Sequence, residues 1–247
     1  MKQSLRNLRD LLNTNITNPG NCRWLTLTYL ENMKDTKRLY DDTRKFHMRM
    51  RYYLEKNCLP HYEYIECAEP QAWGAWHMHV VMIFKEEKQT PFIPNDTIEK
   101  VLGYGFTKIR KLTSVDNVGC YLTAYLSDME LSDAIQKGTV KGDLKAATVT
   151  DGNGGKSRKA VVKGARLSLY PAGFRLFRTS RKIKRPEVVE CTEAEAMKEI
   201  GDAPLTFERT IKVMDDNGQG FNVINYRQFN KAQKKRSEGE AGTDGGS

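Results

Sequence analysis

The chain of 247 residues, with 39% hydrophobic and 29% charged side chains, is long enough for one large domain or two modest ones around a real core. It has no apolar run near the roughly 20 residues of a membrane span and no stretch typical of a signal peptide, so we expect a cytoplasmic protein without membrane contact. Its net charge of +9 favours a polyanionic partner.

The predicted elements start with a strand and a long helix. Residues 22–30 alternate threonine with leucine and aromatic side chains, a composition typical of a strand. Residues 35–57 are rich in helix formers, and their apolar side chains recur at spacings that place them on one helical face. That face is formed by Leu39, Phe46, Met50 and Leu54.

Five further elements follow. Residues 62–69 and 76–84 predict two strands joined by a short turn, and the uninterrupted apolar end of the second strand suggests a central position in the sheet. Residues 94–102 predict a short helix, residues 104–112 a fourth strand and residues 114–130 a helix. The order predicts an α+β fold, in which helices cover a small antiparallel sheet close to the ferredoxin-like plan.

The rest of the chain is more polar. Residues 150–159 have the composition of a mobile loop, "TEAEAMKEIG" predicts a short helix, and the residues around "DDNGQG" predict a hairpin. Residues 231–247 are polar and glycine-rich, and we expect them to be disordered. We therefore predict a first domain over residues 1–135, a basic extension over 136–230 and a disordered tail.

Two histidines, His77 and His79, stand two residues apart on the third predicted strand. Side chains alternate along a strand, so both imidazoles point to one face and could converge on one metal ion. Glu69 ends the preceding strand, and antiparallel pairing would bring it back beside them; Glu66 is the fallback carboxylate. Such a set suits Zn²⁺, Mn²⁺ or Mg²⁺. The alternative is a pair of ordinary polar or partly buried histidines.

Two tyrosines, Tyr121 and Tyr125, lie four residues apart on the last predicted helix of the first domain. This spacing places both hydroxyls on one helical face. A tyrosine becomes a useful nucleophile where a cation stabilises its phenolate or the charge that grows on the electrophile. The alternative is that both rings belong to the core with their leucine neighbours.

A basic block extends from Lys137 to Arg185, with fourteen lysines and arginines against two acids, a net charge of +12. Such a block is typical of a segment that contacts nucleic-acid phosphates, and the alternative is a solvated flexible loop. The candidates for DNA binding are Arg175, Arg178, Arg181, Lys182, Lys184 and Arg185.

Three segments resemble, in order, the motifs of the HUH endonucleases that initiate rolling-circle replication of plasmids and phages. They are "WLTLTY" (24–29), "HMHVVMIF" (77–84) with its two histidines and "YLTAYLSD" (121–128) with its two tyrosines. Glu69 stands where many members of that family carry a third metal ligand. The resemblance covers roughly residues 20–130 and, more weakly, residues 170–186.

The resemblance implies a domain that cuts single-stranded DNA at a replication origin. Glu69, His77 and His79 would hold one Mn²⁺ or Mg²⁺ ion. Tyr121, which the resemblance favours slightly, or Tyr125 would attack the scissile phosphate and form a 5′-phosphotyrosine link. The freed 3′-hydroxyl would prime a host DNA polymerase. A host helicase would separate the strands, because the chain has no helicase motif of its own.

The sequence departs from the family in one respect. Family tyrosine motifs commonly place a lysine three residues after the tyrosine, whereas Ala124 and Asp128 stand at those positions here. Both tyrosines therefore stay candidates. The same chemistry would serve a mobilisation relaxase or a transposase, and a non-catalytic nucleic-acid-binding module is the rival outside this chemistry. The sequence predicts neither an oligomeric state nor an origin sequence.

Overall fold

The chain divides into two units in a computed structural model, and each unit is described by itself. The units are Met1–Pro186 and Glu187–Ser247. The structure describes residues 1–85, 90–112, 118–150, 156–214 and 220–230.

The first unit is built from helices and strands that alternate along much of the chain. The described helices are α1 (Lys2–Asn15), α2 (Thr36–Lys56), α3 (Asn95–Leu102), α4 (Val118–Ser127) and α5 (Leu131–Gln136). The described strands are β1 (Cys22–Tyr29), β2 (Glu63–Pro70), β3 (Trp76–Ile83), β4 (Gly105–Lys111), β5 (Met129–Glu130), β6 (Leu144–Thr150), β7 (Lys156–Val162) and β8 (Phe177–Thr179). Two 3₁₀ turns, Pro19–Asn21 and Ala165–Leu169, complete the described elements of this unit.

Five of these strands form one antiparallel sheet in the order β4–β1–β3–β2–β8. β3 lies in the middle, and all of its residues are buried except the half-buried His77. This central position explains why the strand continues as an apolar run after its histidines. The predicted α+β fold is confirmed, with an antiparallel sheet, helices packed on it and the predicted order of elements.

Helices cover both faces of this sheet. α2 packs on one face through the four residues that the sequence places on its apolar side. These are Leu39, Phe46, Met50 and Leu54. α4 lies on the other face, where the rings of Tyr121 and Tyr125 contact Trp24 of β1. α1 packs on α4.

Gly119 allows α1 and α4 to approach closely. A Cβ atom at this position would lie 2.5 Å from Asn13 Oδ1 and 2.6 Å from the carbonyl oxygen of Arg9, which is closer than unbonded atoms can sit. The Gly119 N–H donates to Asn13 Oδ1 at 3.0 Å. α1 thereby seats the helix that carries both tyrosines.

A second antiparallel sheet takes its strands in the order β5–β7–β6. The prediction of a mobile loop over residues 150–159 is wrong for residues 156–159, which form the first part of β7 and pair with β6. Residues 151–155 lie outside the described residues. The strands of this hairpin are largely polar, so the sequence gives only a weak apolar alternation there.

The second unit contains α6 (Glu193–Ile200) and a hairpin of β9 (Leu205–Met214) and β10 (Gly220–Phe229). Thr192 and Glu195 form a capping box that starts α6. The predicted short helix and hairpin are confirmed. Residues 215–219 of the turn and the predicted disordered tail, 231–247, lie outside the described residues.

The division between units falls after residue 186, whereas the sequence predicts a domain boundary after residue 135. Residues beyond 135 supply β8 to the five-stranded sheet and a 3₁₀ turn that packs on α4. Across the described ranges, no helix is both long and apolar enough to cross a membrane.

Candidate functional site

The candidate site lies on the face of the five-stranded sheet that α4 covers. In the strand register, Glu69 of β2 stands opposite His77 of β3, and Thr26 of β1 stands opposite His79. Directly opposed residues of antiparallel strands point to the same face. The structure therefore brings Glu69 to the face that carries both histidines, as antiparallel pairing predicts.

Glu69 and His79 form a buried hydrogen-bonded pair. His79 Nε2 lies 2.6 Å from Glu69 Oε2, and the two residues are only 1% (His79) and 3% (Glu69) exposed. Trp24 Nε1 lies 3.1 Å from His79 Nδ1. Because an indole N–H can only donate, Nδ1 accepts this bond and the ring proton sits on Nε2, which donates to Glu69. Thr26 Oγ1, 3.2 Å from the same Nδ1, is a second partner for that atom.

Arg166 is the second ion-pair partner of Glu69. Its Nη1 lies 2.8 Å from Glu69 Oε1 and also donates to the Pro70 carbonyl at 2.9 Å, while its Nε donates to the Asp128 carbonyl at 3.1 Å. Burial raises the pKa of Glu69, but the hydrogen bond from His79 and the positive charges around it outweigh burial and lower the pKa below its usual range. Glu69 is therefore a carboxylate in this structure.

His77 is the member of the set whose ring is poised to be a neutral ligand. Burial lowers its pKa to about 4, and the positive charges of His79 and Arg166 act in the same direction, against an opposing effect of Glu69. At neutral pH the His77 ring thus keeps a nitrogen lone pair, which a metal ion requires.

Glu66, the fallback carboxylate, points to the opposite face of the sheet. Its Oε2 lies 2.9 Å from His47 Nε2 of α2, and both residues are buried. A neighbour one position away on a strand, Cys67, faces the histidines instead. Glu66 therefore cannot join His77 and His79, which leaves Glu69 as the carboxylate of the set.

The donor chemistry of Glu69, His77 and His79 fits a divalent cation, since two imidazoles and a carboxylate share one face. In the part of the chain that the structure describes, however, no group of three His, Cys, Asp or Glu side chains is arranged to hold a metal. Both oxygens of Glu69 and both ring nitrogens of His79 already have partners. Metal binding would require Glu69 to exchange a partner and His79 to lose its Nε2 proton.

The two tyrosines gather on one aromatic side chain. The ring of Trp24 contacts Tyr121 at a centroid distance of 5.8 Å and Tyr125 at 5.1 Å, edge to face in both cases. Tyr125 also lies edge to face with His79 at 5.4 Å. Both remain accessible, with 44% of Tyr121 and 45% of Tyr125 exposed, so neither is a sealed core residue.

Tyr125 is the tyrosine with a perturbed hydroxyl. Burial raises its pKa to about 12, and the negative charge of Glu69 adds to this, while Arg166 and Arg110 act to lower it. A phenolate at Tyr125 is therefore costly unless further positive charge reaches the site. The structure places Tyr125, rather than Tyr121, against the histidine pair.

Sequence reasoning missed Trp24 and Arg166. A signal for Trp24 was present, since residues 24, 26 and 28 alternate along β1 and so share the face of His79. Arg166 carried no such signal, because its contacts with Glu69 and Asp128 span 97 and 38 positions and depend on the fold. It was only one of fourteen cations in the basic block.

The basic candidates for DNA binding lie elsewhere on the first unit. The guanidinium of Arg178 stacks 3.6 Å from the ring of Tyr40, which belongs to α2 and so to the other face of the sheet. Arg181 and Lys182 line a cleft of about 730 Å³ together with Arg51 of α2. This cleft holds the positive charge that the sequence predicts for the segment.

The cleft is remote from the histidine pair. It includes Tyr64 of β2, which stands opposite Met82 of β3. Met82 is five residues along β3 from His77, a distance of roughly 17 Å at the rise of a strand. The main-chain N–H of Lys184, further along the segment, donates to Asn15 at the end of α1. The structure therefore does not bring this basic segment to the tyrosines.

Comparison with known proteins gives one match. Residues 22–130 match a family model of replication-associated proteins, of the ORF2 and gene 2 protein type. The chain matches no curated protein and no solved structure. The similarity supports a replication initiator that interacts with DNA.

The matched range begins with β1 and ends just beyond α4. It contains Trp24, Glu69, the histidine pair and both tyrosines, but it stops before Arg166 and before the six basic candidates. The side chains that meet on the α4 face of the sheet therefore fall, apart from Arg166, within the part of the chain that is similar to replication proteins.

Proposed function

We propose that this protein nicks single-stranded DNA at a replication origin through a tyrosine and so initiates rolling-circle replication. The observation that carries the proposal is the cluster of Tyr121 and Tyr125 on Trp24, which donates a hydrogen bond to His79 of the Glu69 pair. Two accessible nucleophiles thus share one face with a carboxylate and two imidazoles, inside the range that matches replication proteins.

The reaction exchanges one phosphodiester for another. A tyrosine oxygen bonds to phosphorus, the bond from phosphorus to the 3′ oxygen breaks, the phenol loses its proton and the 3′ oxygen gains one. The product is a 5′-phosphotyrosine and a free 3′-hydroxyl, which a host DNA polymerase would extend after a host helicase opens the strands. Because the number of ester bonds is conserved, the step needs no ATP.

Glu69, His77 and His79 would hold a Mn²⁺ or Mg²⁺ ion. When bound, the ion supplies positive charge that polarises the scissile phosphate. His79 can offer Nε2 as a ligand if its proton moves to Nδ1, where Thr26 Oγ1 lies 3.2 Å away as an acceptor. The two neighbours of Nδ1 thus serve the two tautomers, Trp24 as a donor to one and Thr26 as an acceptor from the other.

The packing favours Tyr125 for the first attack, whereas the sequence resemblance favours Tyr121. Tyr125 touches the ring of His79, and its raised pKa makes its attack the step that depends most on added positive charge. Tyr121 lies one helical turn away on the same face and would serve the second strand transfer that closes the DNA.

The basic cleft would hold DNA away from the nick. Arg51, Arg181 and Lys182 present three positive charges there, which suits the sugar–phosphate backbone of origin DNA. Their distance from the tyrosines means that the origin would have to extend past the edge of the sheet to reach both places.

The proposal is tested by a covalent adduct. The full chain is incubated with MnCl₂ and 3′-labelled single-stranded oligonucleotides that tile the DNA flanking its gene, because the 5′-phosphotyrosine retains the 3′ fragment. Wild type should form a labelled adduct that resists denaturation. Tyr121→Phe combined with Tyr125→Phe should reduce it by about a thousandfold or more, as expected for loss of a nucleophile.

Tyr52→Phe is the matched control, because Tyr52 is an exposed tyrosine on another helix, α2, and should leave the adduct unchanged. An adduct that survives in the double variant contradicts the tyrosine mechanism. An adduct that forms equally well in His77→Ala contradicts the metal assignment but not the nucleophile.

A non-catalytic DNA-binding module is the second candidate. The ion pair between Glu69 and Arg166 favours it, because that pair satisfies the carboxylate without any metal ion. Such a module would bind the tiled oligonucleotides in a mobility-shift assay and give no covalent adduct with any of them.

A further inference from the structure

Arg166 occupies the position in which a cation neutralises Glu69. Among the ion pairs of the described residues, Glu69 has two partners, His79 at 2.6 Å and Arg166 at 2.8 Å, one on each carboxylate oxygen. The arginine side chain is largely buried, with 14% of it exposed, so solvent screens this pair weakly.

Arg166 is held at this position by the main chain as well as by Glu69. Its guanidinium donates to the carbonyl oxygens of Pro70, at the end of β2, and Asp128, just after α4. These carbonyls would keep the guanidinium beside the site even without its bond to Glu69. The side chain therefore has a stable place whether or not the carboxylate is its partner.

A divalent ion and this guanidinium cannot both bind Glu69 without strong repulsion. A metal ion bonded to a carboxylate lies about 2.0–2.2 Å from the oxygen. Arg166 Nη1 is 2.8 Å from Glu69 Oε1, so the two cations would lie within about 5 Å of each other. Like charges at that separation repel strongly in a buried site, where the effective dielectric constant is low.

We propose that Arg166 and a divalent cation compete for the Glu69 carboxylate, so that metal uptake displaces the arginine. The inference rests on the proposed function, in which Glu69 is a metal ligand. Arg166 then acts as a positioning residue that keeps Glu69 compensated and aimed along the histidine face before metal binds.

Isothermal titration of the full chain with MnCl₂ tests the competition without any DNA or activity. The variant is Arg166→Gln, which keeps a side-chain N–H donor for the carbonyl oxygens but removes the charge. It should bind Mn²⁺ at least about threefold more tightly than wild type, because the competitor is gone. A merely structural role for Arg166 predicts the opposite sign, since loss of its bonds would disorganise the site.

Arg110→Gln is the matched control. Arg110 also acts on the hydroxyl of Tyr125, but it is not among the groups that shift the pKa of Glu69. Its loss should change the Mn²⁺ dissociation constant by less than about twofold. An equal gain in both variants would overturn the proposal, because it would reflect lower positive charge in general rather than a vacated carboxylate.

The outcomes separate the inference from the proposed function. Unchanged or weaker Mn²⁺ binding in Arg166→Gln, beside intact binding in wild type, overturns the competition and leaves the metal site standing. Binding in Arg166→Gln alone supports competition in its strongest form. Absence of binding in both proteins overturns the competition and the metal assignment together.

A measurement on wild type covers the case in which the variant fails to fold. The Nε–H resonance of Arg166 is followed by NMR during titration with Mg²⁺, which is diamagnetic. It should move on the same binding curve as the metal-sensitive signals of His77 and His79, while the Nε–H resonance of Arg110 moves less. An Arg166 signal that stays fixed at saturating Mg²⁺ overturns the proposal.

Discussion

β2 carries two buried histidine–glutamate pairs, one on each face of the sheet, and only one has the surroundings of a site. Glu69 binds His79 at 2.6 Å on the α4 face, and Glu66 binds His47 at 2.9 Å on the α2 face. In both pairs the other imidazole nitrogen has a partner, Trp24 for His79 and the Tyr62 hydroxyl for His47. The pairs are thus alike in chemistry and in burial.

What differs is the company of each pair. The ring of His47 stacks 3.6 Å from Tyr64 and is closed in by its own helix, so Glu66 has a structural partner within the core. The Glu69 pair has a second histidine on the same face, an arginine on its other oxygen and accessible tyrosines beside it. A buried histidine–glutamate pair therefore marks a site only where further donors and a nucleophile face it.

The largest contrast should come from removing each histidine in turn. His79→Ala should reduce adduct formation by about a hundredfold, near the upper end of losses around metal sites. Its cost in stability should be modest, about 1–3 kcal/mol, because Arg166 still compensates Glu69.

His47→Ala should show the reverse pattern. It leaves Glu66 buried without its partner and should lower the free energy of unfolding by about 3–5 kcal/mol, while adduct formation per folded molecule stays near wild type. Urea denaturation and the adduct assay measure the two quantities. Equal activity losses in the two variants would remove the distinction between the pairs.

The pH dependence of stability should report His77, which has no counterpart beside His47. Burial lowers its pKa from the ordinary 6.5 to about 4 in the folded chain, so the unfolded chain binds more protons between these values. Stability should be complete above pH 6.5 and fall as the pH drops towards 4, by on the order of 2–3 kcal/mol.

His77→Gln, measured with a chelator present, should flatten that slope between pH 4 and pH 6.5. Urea titrations at several pH values give the comparison with wild type. Identical slopes in the two proteins would show that His77 is not held in its neutral form.

The smallest effect concerns the seat of α4, which exists only on the Glu69 face. Gly119→Ala places a methyl group against Asn13 and the Arg9 carbonyl and should cost about 1–3 kcal/mol of stability. Because α4 carries both tyrosines, adduct formation should fall with it. A stability equal to that of wild type would mean that α1 and α4 are not packed as closely as described.

Much of this arrangement follows from local sequence patterns. The alternation of strands places His77 and His79 on one face, and the short turn after β2 fixes a register in which Glu69, not Glu66, joins them. The helical spacing likewise places Tyr121 and Tyr125 together. These features depend on a few neighbouring residues, which is why sequence periodicity can predict them.

Other features depend on contacts between distant parts of the chain. Arg166 reaches Glu69 only because the 3₁₀ turn that contains it packs on α4, and no periodicity encodes that contact. The polar strand β7 gave a composition typical of a loop although it pairs with β6. The basic segment that includes Arg181 was predicted from charge alone, and charge does not say which side of a sheet a segment will follow.

The most direct measurement is to identify the residue that carries DNA. The adduct formed with the tiled oligonucleotides is digested with nuclease and protease, and the modified peptide is sequenced by mass spectrometry. The peptide that contains Tyr121 and Tyr125 should carry a nucleotide through its 5′ phosphate on a tyrosine oxygen. Recovery of DNA cut without any attached peptide, or attached to a residue outside α4, would contradict the account.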